Sequence, residues 1–218
     1  MKSKGKKSQE PNSADIREPE PFDPLKKRRL AESIVRELLM QPATMLPPKA
    51  RFRGAGVYAI YYKGNNPIYA RLTELNSKEW RHPIYIGKAD PPGRRKGGFQ
   101  EEASRESSLY PRLAQHAESL KQVSNLKLEH FRCRYLVVDD VWIGLAESLL
   151  IDQTKPVWNA VLDGFGIHDP GKGRHAGKRS FWDTLHPGRR FAIPLSPNPV
   201  PSEELEARVR GYLSTSPK

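Results

Sequence analysis

The segment from Asp140 to Thr154 constrains the fold of this chain most, because apolar residues surround most of it when it is drawn as a helix. Its apolar positions are Trp142, Ile143, Leu145, Ala146, Leu149, Leu150 and Ile151. A helix that is apolar on nearly every side normally lies inside a protein and not on its surface. We therefore predict a buried helix over these residues.

One carboxylate lies within this apolar helix. Glu147 is surrounded in the helical projection by Ile143, Ala146 and Leu150. An unpaired carboxylate that is removed from water is costly, and a divalent cation or an arginine would offset that cost. Glu147 is therefore interpreted as a metal ligand, and a structural ion pair is the alternative.

Shorter patterns predict the other elements. Segments rich in β-branched and aromatic residues predict strands over residues 56–62, 83–88 and 131–138. Helical spacing of apolar residues predicts helices between Pro24 and Pro42, from about Leu109 to Lys121, and around residues 205–213. Residues 1–23 are basic and proline-rich with few apolar side chains, so they are predicted to form a mobile arm.

Charge favours a polyanionic partner. The chain has 37 Lys and Arg against 25 Asp and Glu, a formal net charge of +12. Nucleic acid is the first candidate for such a surface, and a merely solubilising surface is the alternative. The single cysteine, Cys133, excludes an intramolecular disulfide, and no apolar stretch is long enough to span a membrane. We expect a cytoplasmic protein with no membrane partner.

Two polar residues lie four positions apart on the predicted helix after residue 109. Arg112 and His116 project from one face of that helix, beside its apolar stripe. They can therefore reach one cleft. A histidine in the core and an arginine that packs its aliphatic part on the surface are the structural alternatives.

An ordered series of residues resembles the active site of the GIY-YIG nucleases. Gly56-Val57-Tyr58 and Tyr85-Ile86-Gly87 lie on the first two predicted strands, although Val57 stands where the family motif has isoleucine. The series continues with Arg112, His116, Glu147 and Asn159. The resemblance covers residues 54–159, about half of the chain, with long insertions between the two strand motifs and before Arg112.

The resemblance implies a fold and a division of the chain. The fold is α/β (α+β), with a small antiparallel three-stranded central sheet flanked by helices, an N-terminal helix and arm, and a C-terminal basic extension. The divisions are the arm at residues 1–23, a helix and connector at 24–53, the catalytic core at 54–160, and an extension at 161–218 for DNA binding or dimerisation.

The resemblance also implies a magnesium-dependent DNA endonuclease. Tyr58 would be the general base, with His116 or Lys88 adjusting its proton, and Glu147 would hold one Mg²⁺, for which Mn²⁺ can substitute. Such assistance is needed because an ordinary tyrosine has a pKa of about 10.

The remaining residues of the series receive supporting roles from the resemblance. Arg112 would stabilise phosphate charge, Tyr85 would orient a phosphate oxygen or the attacking water, and Asn159 would hold the DNA backbone. An exchange of roles between the two tyrosines stays open, and for Asn159 so does a structural role in the turn after the helix.

Three later segments of the sequence resemble one branch of this superfamily, the restriction endonucleases that recognise CCGCGG. These segments are Val161-Leu162-Asp163-Gly164-Phe165-Gly166, Trp182-Asp183 and His186-Pro187-Gly188-Arg189. The branch implies a type II enzyme that cuts both strands of a short GC-rich palindrome in double-stranded DNA. One site per chain then requires a homodimer, because two-fold symmetry matches a palindrome. A cognate DNA methyltransferase is expected as a genetic partner only, in a bacterial cytoplasm.

Base reading is assigned to basic residues of two loops. They are Arg94, Arg95 and Lys96 in the first loop and Lys172, Arg174, Lys178 and Arg179 in the second. Arginine binds guanine through two hydrogen bonds, which suits a GC-rich site, and contact with phosphate alone is the alternative.

Two other functions compete with restriction. A non-catalytic, sequence-tolerant DNA-binding or architectural protein would explain the charge and the loops, but it gains nothing from a carboxylate that faces DNA. A GIY-YIG repair or mobile-element nuclease would share the site, but such enzymes attach it to separate recognition domains that this sequence does not show.

Overall fold

The structure is a computed structural model, which describes residues 27–91, 108–167 and 177–215. Its strands are β1 (Thr44–Met45), β2 (Gly56–Tyr62), β3 (Pro83–Ala89) and β4 (Phe131–Val137). Its helices are α1 (Lys27–Met40), α2 (Ala70–Leu75), α3 (Leu109–Gln122), α4 (Asp140–Thr154), α5 (Val157–Ala160), α6 (Phe181–Leu185) and α7 (Ser202–Thr215). The predicted arm at residues 1–23 lies outside the described residues.

The strands form one antiparallel sheet with the order β1-β4-β2-β3. The three predicted strands are therefore confirmed, in a mixed fold with helices on both faces of the sheet. The two-residue strand β1 was not predicted, since a strand that short leaves no alternating pattern. It pairs with the outer side of β4 and leaves β3 as the opposite edge of the sheet.

The central strand β2 is buried along its whole length. Successive side chains of a strand point to opposite faces, so β2 contributes to two hydrophobic clusters. Tyr58, Ile60 and Tyr62 pack with α3, α5, α6 and α7, whereas Val57, Ala59 and Tyr61 pack with α1 and α4. The sheet thus separates two helical layers.

The prediction that α4 is buried on nearly every side is wrong. Its bounds are as predicted, but only Ile143, Ala146 and Leu150 are fully buried, while Leu145 and Leu149 are partly exposed. The reason is that α4 packs on one face of the sheet and against α1, and nothing among the described residues covers its outer side. Among those residues, no helix is both long enough and apolar enough to cross a membrane.

The segment after residue 160 contributes to the same core as the sheet. Leu162, Phe165 and Trp182 are fully buried in the cluster that contains Tyr58, and so are Leu205 and Val209 of α7. The C-terminal residues therefore help to hold the sheet face on which α3 packs.

A chain of hydrogen bonds runs through this part of the core. The indole of Trp158 donates to the hydroxyl of Tyr69 at 2.9 Å, and that hydroxyl lies 2.7 Å from His186 Nε2. Nδ1 of His186 lies 3.0 Å from the side-chain oxygen of Asn125. Burial, helped by the charge of Arg189, lowers the pKa of His186 from 6.5 to about 3. The folded protein therefore holds this imidazole neutral, with Nδ1 as donor and Nε2 as acceptor.

We predict that His186 makes the protein less stable in acid. The pKa of His186 is lower in the folded state, so the unfolded chain binds more protons between pH 6.5 and about 3. The free energy of unfolding should therefore fall as the pH drops through this window, by up to about 1.4 kcal/mol per pH unit for one proton, and His186 should contribute no slope above it. His186→Gln should flatten the dependence in urea unfolding at several pH values. Parallel curves for the two proteins would contradict this assignment.

Candidate active site

A cleft of about 400 Å³ lies beside the edge strand β3, between α3 and α4. These two helices pack on opposite faces of the sheet, and residues of both line the cleft. Its lining residues are Tyr58, Tyr85, Lys88, Ala89, Asp90, Ser108, Pro111, Arg112, Gln115 and Glu147. Five of the seven predicted catalytic residues therefore line one cleft.

Tyr58 reaches the cleft by crossing the neighbouring strand. It lies on β2, and its partner in the register of β3 is Gly87. A Cβ atom at Gly87 would lie 2.4 Å from the hydroxyl oxygen of Tyr58, closer than two such atoms can approach. The glycine of the second strand motif thus provides the space for the phenol of the first.

His116 lies behind Tyr58 and not in the cleft lining. Its Nε2 atom is 2.6 Å from the hydroxyl oxygen of Tyr58, and the residue is fully buried. The imidazole stacks on Phe165, with 4.5 Å between ring centroids and 21° between ring planes. His116 is therefore both a core residue and the hydrogen-bond partner of Tyr58.

The two phenols of the cleft are held in their protonated form. Burial raises the pKa of Tyr58 well above its ordinary value, and Tyr85 and Glu147 raise it further, whereas the charge and hydrogen bond of Arg112 lower it. Burial likewise raises the pKa of Tyr85; Arg112 lowers it and Glu147 raises it. Arg112 therefore favours negative charge on either oxygen, and Glu147 opposes it.

Glu147 lies at the edge of the buried face of α4, with 23% of its side chain exposed in the cleft. Its Oε2 atom is 3.2 Å from Nζ of Lys88, which also lies 3.8 Å from a carboxylate oxygen of Asp90. The ion pair that the sequence left as an alternative is thus present, with a lysine as the cation. The carboxylate nevertheless faces the cleft and is open to a further ligand.

Asn159 binds the edge of the sheet. Its Oδ1 accepts a hydrogen bond from the main-chain N–H of Ile86 at 2.9 Å, and its Nδ2 donates to the carbonyl of Ile86 at 2.9 Å. Both bonds join α5 to the middle of β3, between Tyr85 and Gly87. Asn159 does not line the cleft, and its amide fixes the strand that carries Tyr85 and Lys88.

The predicted base-reading residues are mostly outside the described part of the chain, namely Arg94, Arg95, Lys96, Lys172 and Arg174. Lys178 is exposed. Arg179 donates hydrogen bonds to the carbonyls of Ala192 and Ile193 and does not line the cleft.

Sequence reasoning did not assign Phe165, Gly166, Gln115 or Ser108 to the site. Gln115 and Ser108 line the cleft. Phe165 packs on His116 and lies 5.0 Å from Tyr85 between ring centroids, and a Cβ at Gly166 would lie 2.5 Å from the Tyr85 hydroxyl. The available signal in the sequence was Phe165 between Gly164 and Gly166. This spacing gives no indication that the segment contacts a helix fifty residues earlier in the chain.

The comparison with known protein families finds a match over most of the chain. The family model of the Eco29kI GIY-YIG domain matches residues 50–213. No curated protein matches the chain. The matched region extends well past residue 160 and so includes the C-terminal segment that packs against the site.

We predict that Gly87→Ala disrupts the Tyr58–His116 contact. The added methyl group overlaps the hydroxyl of Tyr58, so the free energy of unfolding should fall by about 1–3 kcal/mol, the usual cost of overpacking. A short hydrogen bond to a buried histidine should give a downfield, slowly exchanging hydroxyl proton in the NMR spectrum, and this signal should be lost.

Gly211→Ala is the matched control for this substitution. Gly211 lies in α7 with no atom near the position of an added Cβ. Alanine there should keep the hydroxyl signal and stabilise the helix by roughly 0.5–1 kcal/mol. An unchanged signal in Gly87→Ala would show that Gly87 is not needed for the crossing.

Proposed function

The chain belongs to the family of the Eco29kI GIY-YIG domain, a restriction endonuclease family, and from this membership we propose a type II enzyme that hydrolyses both strands of a short palindrome. The observation that carries the mechanism is the 2.6 Å contact between Tyr58 and His116 beside a cleft that also holds Arg112 and Glu147. These residues supply a base, a phosphate-binding cation and a carboxylate.

Tyr58 is the general base in this proposal, and His116 receives its proton. A free tyrosinate is disfavoured because burial raises the pKa of Tyr58. The hydroxyl can instead pass its proton to Nε2 of His116 while its oxygen takes a proton from the attacking water. The water oxygen then bonds to phosphorus, and the bond to the leaving oxygen breaks.

Arg112 and Tyr85 act on the phosphate. Arg112 is the cation whose charge already favours negative charge on both phenol oxygens, and a phosphate in the cleft would benefit in the same way. Tyr85 lines the same cleft, and its hydroxyl orients a phosphate oxygen or the water in this proposal. Lys88 holds Glu147 and adds positive charge to the cleft.

The cleft suits one hard divalent cation, Mg²⁺ or Mn²⁺, held by Glu147. Mg²⁺ is commonly bound by one or two carboxylates, with water and substrate phosphate completing its ligands. Within the described residues no group of three or more His, Cys, Asp or Glu side chains is placed to hold a metal, which fits a single protein ligand and not a closed structural site. When bound, such an ion supplies charge stabilisation for the phosphate and the leaving oxygen.

Asn159 supports the site by binding another part of the protein and not by binding the DNA. Its two hydrogen bonds to Ile86 hold β3 in place beside α5. This structural role differs from the role in the turn after the helix that the sequence left open, and we propose it in place of contact with the DNA backbone.

We also propose the arrangement on DNA that the sequence indicates. Residues 54–160 carry the chemistry, residues 24–53 support them, and residues 161–218 contribute DNA contacts and the homodimer interface. Two chains cut a GC-rich palindrome, with CCGCGG as the first site to test. Lys178 and Arg179 of the second predicted loop, with the other basic residues of the two loops, read bases or hold phosphates.

We predict that Tyr58→Phe and Glu147→Ala abolish cleavage but not binding. Purified protein and plasmid with Mg²⁺ should give discrete fragments. Each substitution should lower the single-turnover rate by about 100-fold or more, because it removes the base or the metal ligand. Binding to the same DNA, measured by gel shift in the absence of Mg²⁺, should persist.

Two matched variants control for loss of a hydroxyl or a carboxylate elsewhere. Tyr135→Phe alters a partly buried phenol that stacks on Phe52, and Glu118→Ala alters an exposed carboxylate of α3. Both should cut like wild type. A smear of products would indicate a non-specific nuclease, and no cleavage with any divalent metal would favour the non-catalytic DNA-binding protein.

A further inference from the structure

A buried ion pair lies behind the candidate active site. Nε of Arg189 is 2.6 Å from Oδ1 of Asp183, and Nη2 is 2.7 Å from Oδ2, so the two side chains meet through two parallel hydrogen bonds. Arg189 is 1% and Asp183 is 3% exposed. Neither residue lines the cleft, and the mechanism proposed above uses neither.

The same guanidinium binds a turn of main chain. Nη1 of Arg189 donates to the carbonyls of Phe165 at 3.2 Å and Ile167 at 2.8 Å, and Nη2 donates to that of Gly164 at 2.9 Å. A guanidinium has five N–H donors, and all five are used, two by Asp183 and three by this turn. Arg189 therefore fixes residues 164–167 in both position and direction.

The turn that Arg189 holds contacts two residues of the site. Phe165 stacks on His116 at 4.5 Å and meets the ring of Tyr85 edge to face at 5.0 Å. Gly166 leaves room for the hydroxyl of Tyr85, since a Cβ there would lie 2.5 Å from that oxygen. A displacement of the turn would thus be transmitted directly to both side chains.

Stability alone does not account for a pair of this kind. Well-packed apolar residues of similar volume can often replace a buried ion pair at no loss of stability. They cannot bind three carbonyls at once, and lysine cannot bind the three carbonyls together with Asp183, because its ammonium has three donors against the five used here and no planar fork. The gain from Arg189 is therefore a defined position for residues 164–167.

We propose that Asp183, Arg189 and Phe165 are positioning residues for the nuclease reaction. Asp183 orients Arg189, Arg189 holds the turn, and Phe165 keeps the imidazole of His116 where Nε2 meets the hydroxyl of Tyr58. This inference rests on the proposed function for its kinetic consequence, but the geometry that it asserts can be measured separately. It gives the C-terminal segment a part in catalysis besides DNA contact.

Three variants test the positioning role. Phe165→Leu removes the stacking ring, Arg189→Lys removes the fork, and the double variant Asp183→Leu with Arg189→Met replaces the ion pair by apolar side chains so that no buried charge is left unpaired. The matched control is Glu204→Leu with Arg208→Met, an exposed ion pair on α7 with a 2.6 Å contact.

Kinetics should separate positioning from simple structural damage. Misplacement of His116 and Tyr85 should lower kcat by about 10- to 100-fold in all three variants, whereas KM and DNA binding should change little because none of the altered residues itself lines the cleft. The exposed double variant should cut like wild type. An unchanged kcat in Phe165→Leu and in the apolar double variant would overturn the inference.

An NMR measurement tests the geometry without any cleavage. The ring current of Phe165 should shift the imidazole signals of His116, assigned from the spectrum of a His116→Gln variant. Phe165→Leu should abolish this shift, and the apolar double variant should change it. Unchanged His116 signals in the double variant would overturn the inference even if its cleavage were slow. A wild-type protein that cuts no DNA would overturn the proposed function, and this spectrum would still decide whether the ion pair positions His116.

Discussion

Tyr58 is a buried phenol of the central strand whose hydrogen-bond partner lies within the protein, and the arrangement of the site follows from this contact. A buried hydroxyl without a partner costs about 1–3 kcal/mol, so Tyr58 must reach a partner or water. It reaches His116 on α3 at 2.6 Å, and Gly87 leaves the space through which the ring passes. The glycine, the histidine and the tyrosine are therefore one structural unit, drawn from three elements of the fold.

The cleft holds two cations and two carboxylates, and burial keeps its two phenols neutral beside them. Arg112 favours negative charge on both phenol oxygens, and burial and Glu147 oppose it. Lys88 lies against Glu147 and partly offsets its charge. In the proposed reaction, a phosphate group that enters this cleft would meet the cation Arg112 and a base, Tyr58, that need not be ionised beforehand.

Long periodic segments made most of the fold predictable from the sequence, because a strand or helix of seven or more residues leaves a readable pattern. α5 and α6 have four and five residues, too few for such a pattern, and they were missed. Five of the residues predicted to form the site line one cleft. That prediction rested on the order of these residues along the chain and not on the spacing between them. The contacts that hold the site residues in place could not be predicted. The hydrogen bonds of Asn159 to Ile86 and the stacking of Phe165 on His116 join segments that are far apart in the sequence.

The amide of Asn159 also bears on whether strand β3 can pair with a strand of another molecule. An outer strand presents N–H and carbonyl groups to which a strand of another molecule can pair, which leads to aggregation. In β3 the N–H and the carbonyl of Ile86, at the middle of the strand, are both occupied by one side chain. A second copy cannot extend the sheet through this point without displacing α5. The residue that anchors β3 beside the candidate site thus also prevents this part of the strand from pairing with another molecule.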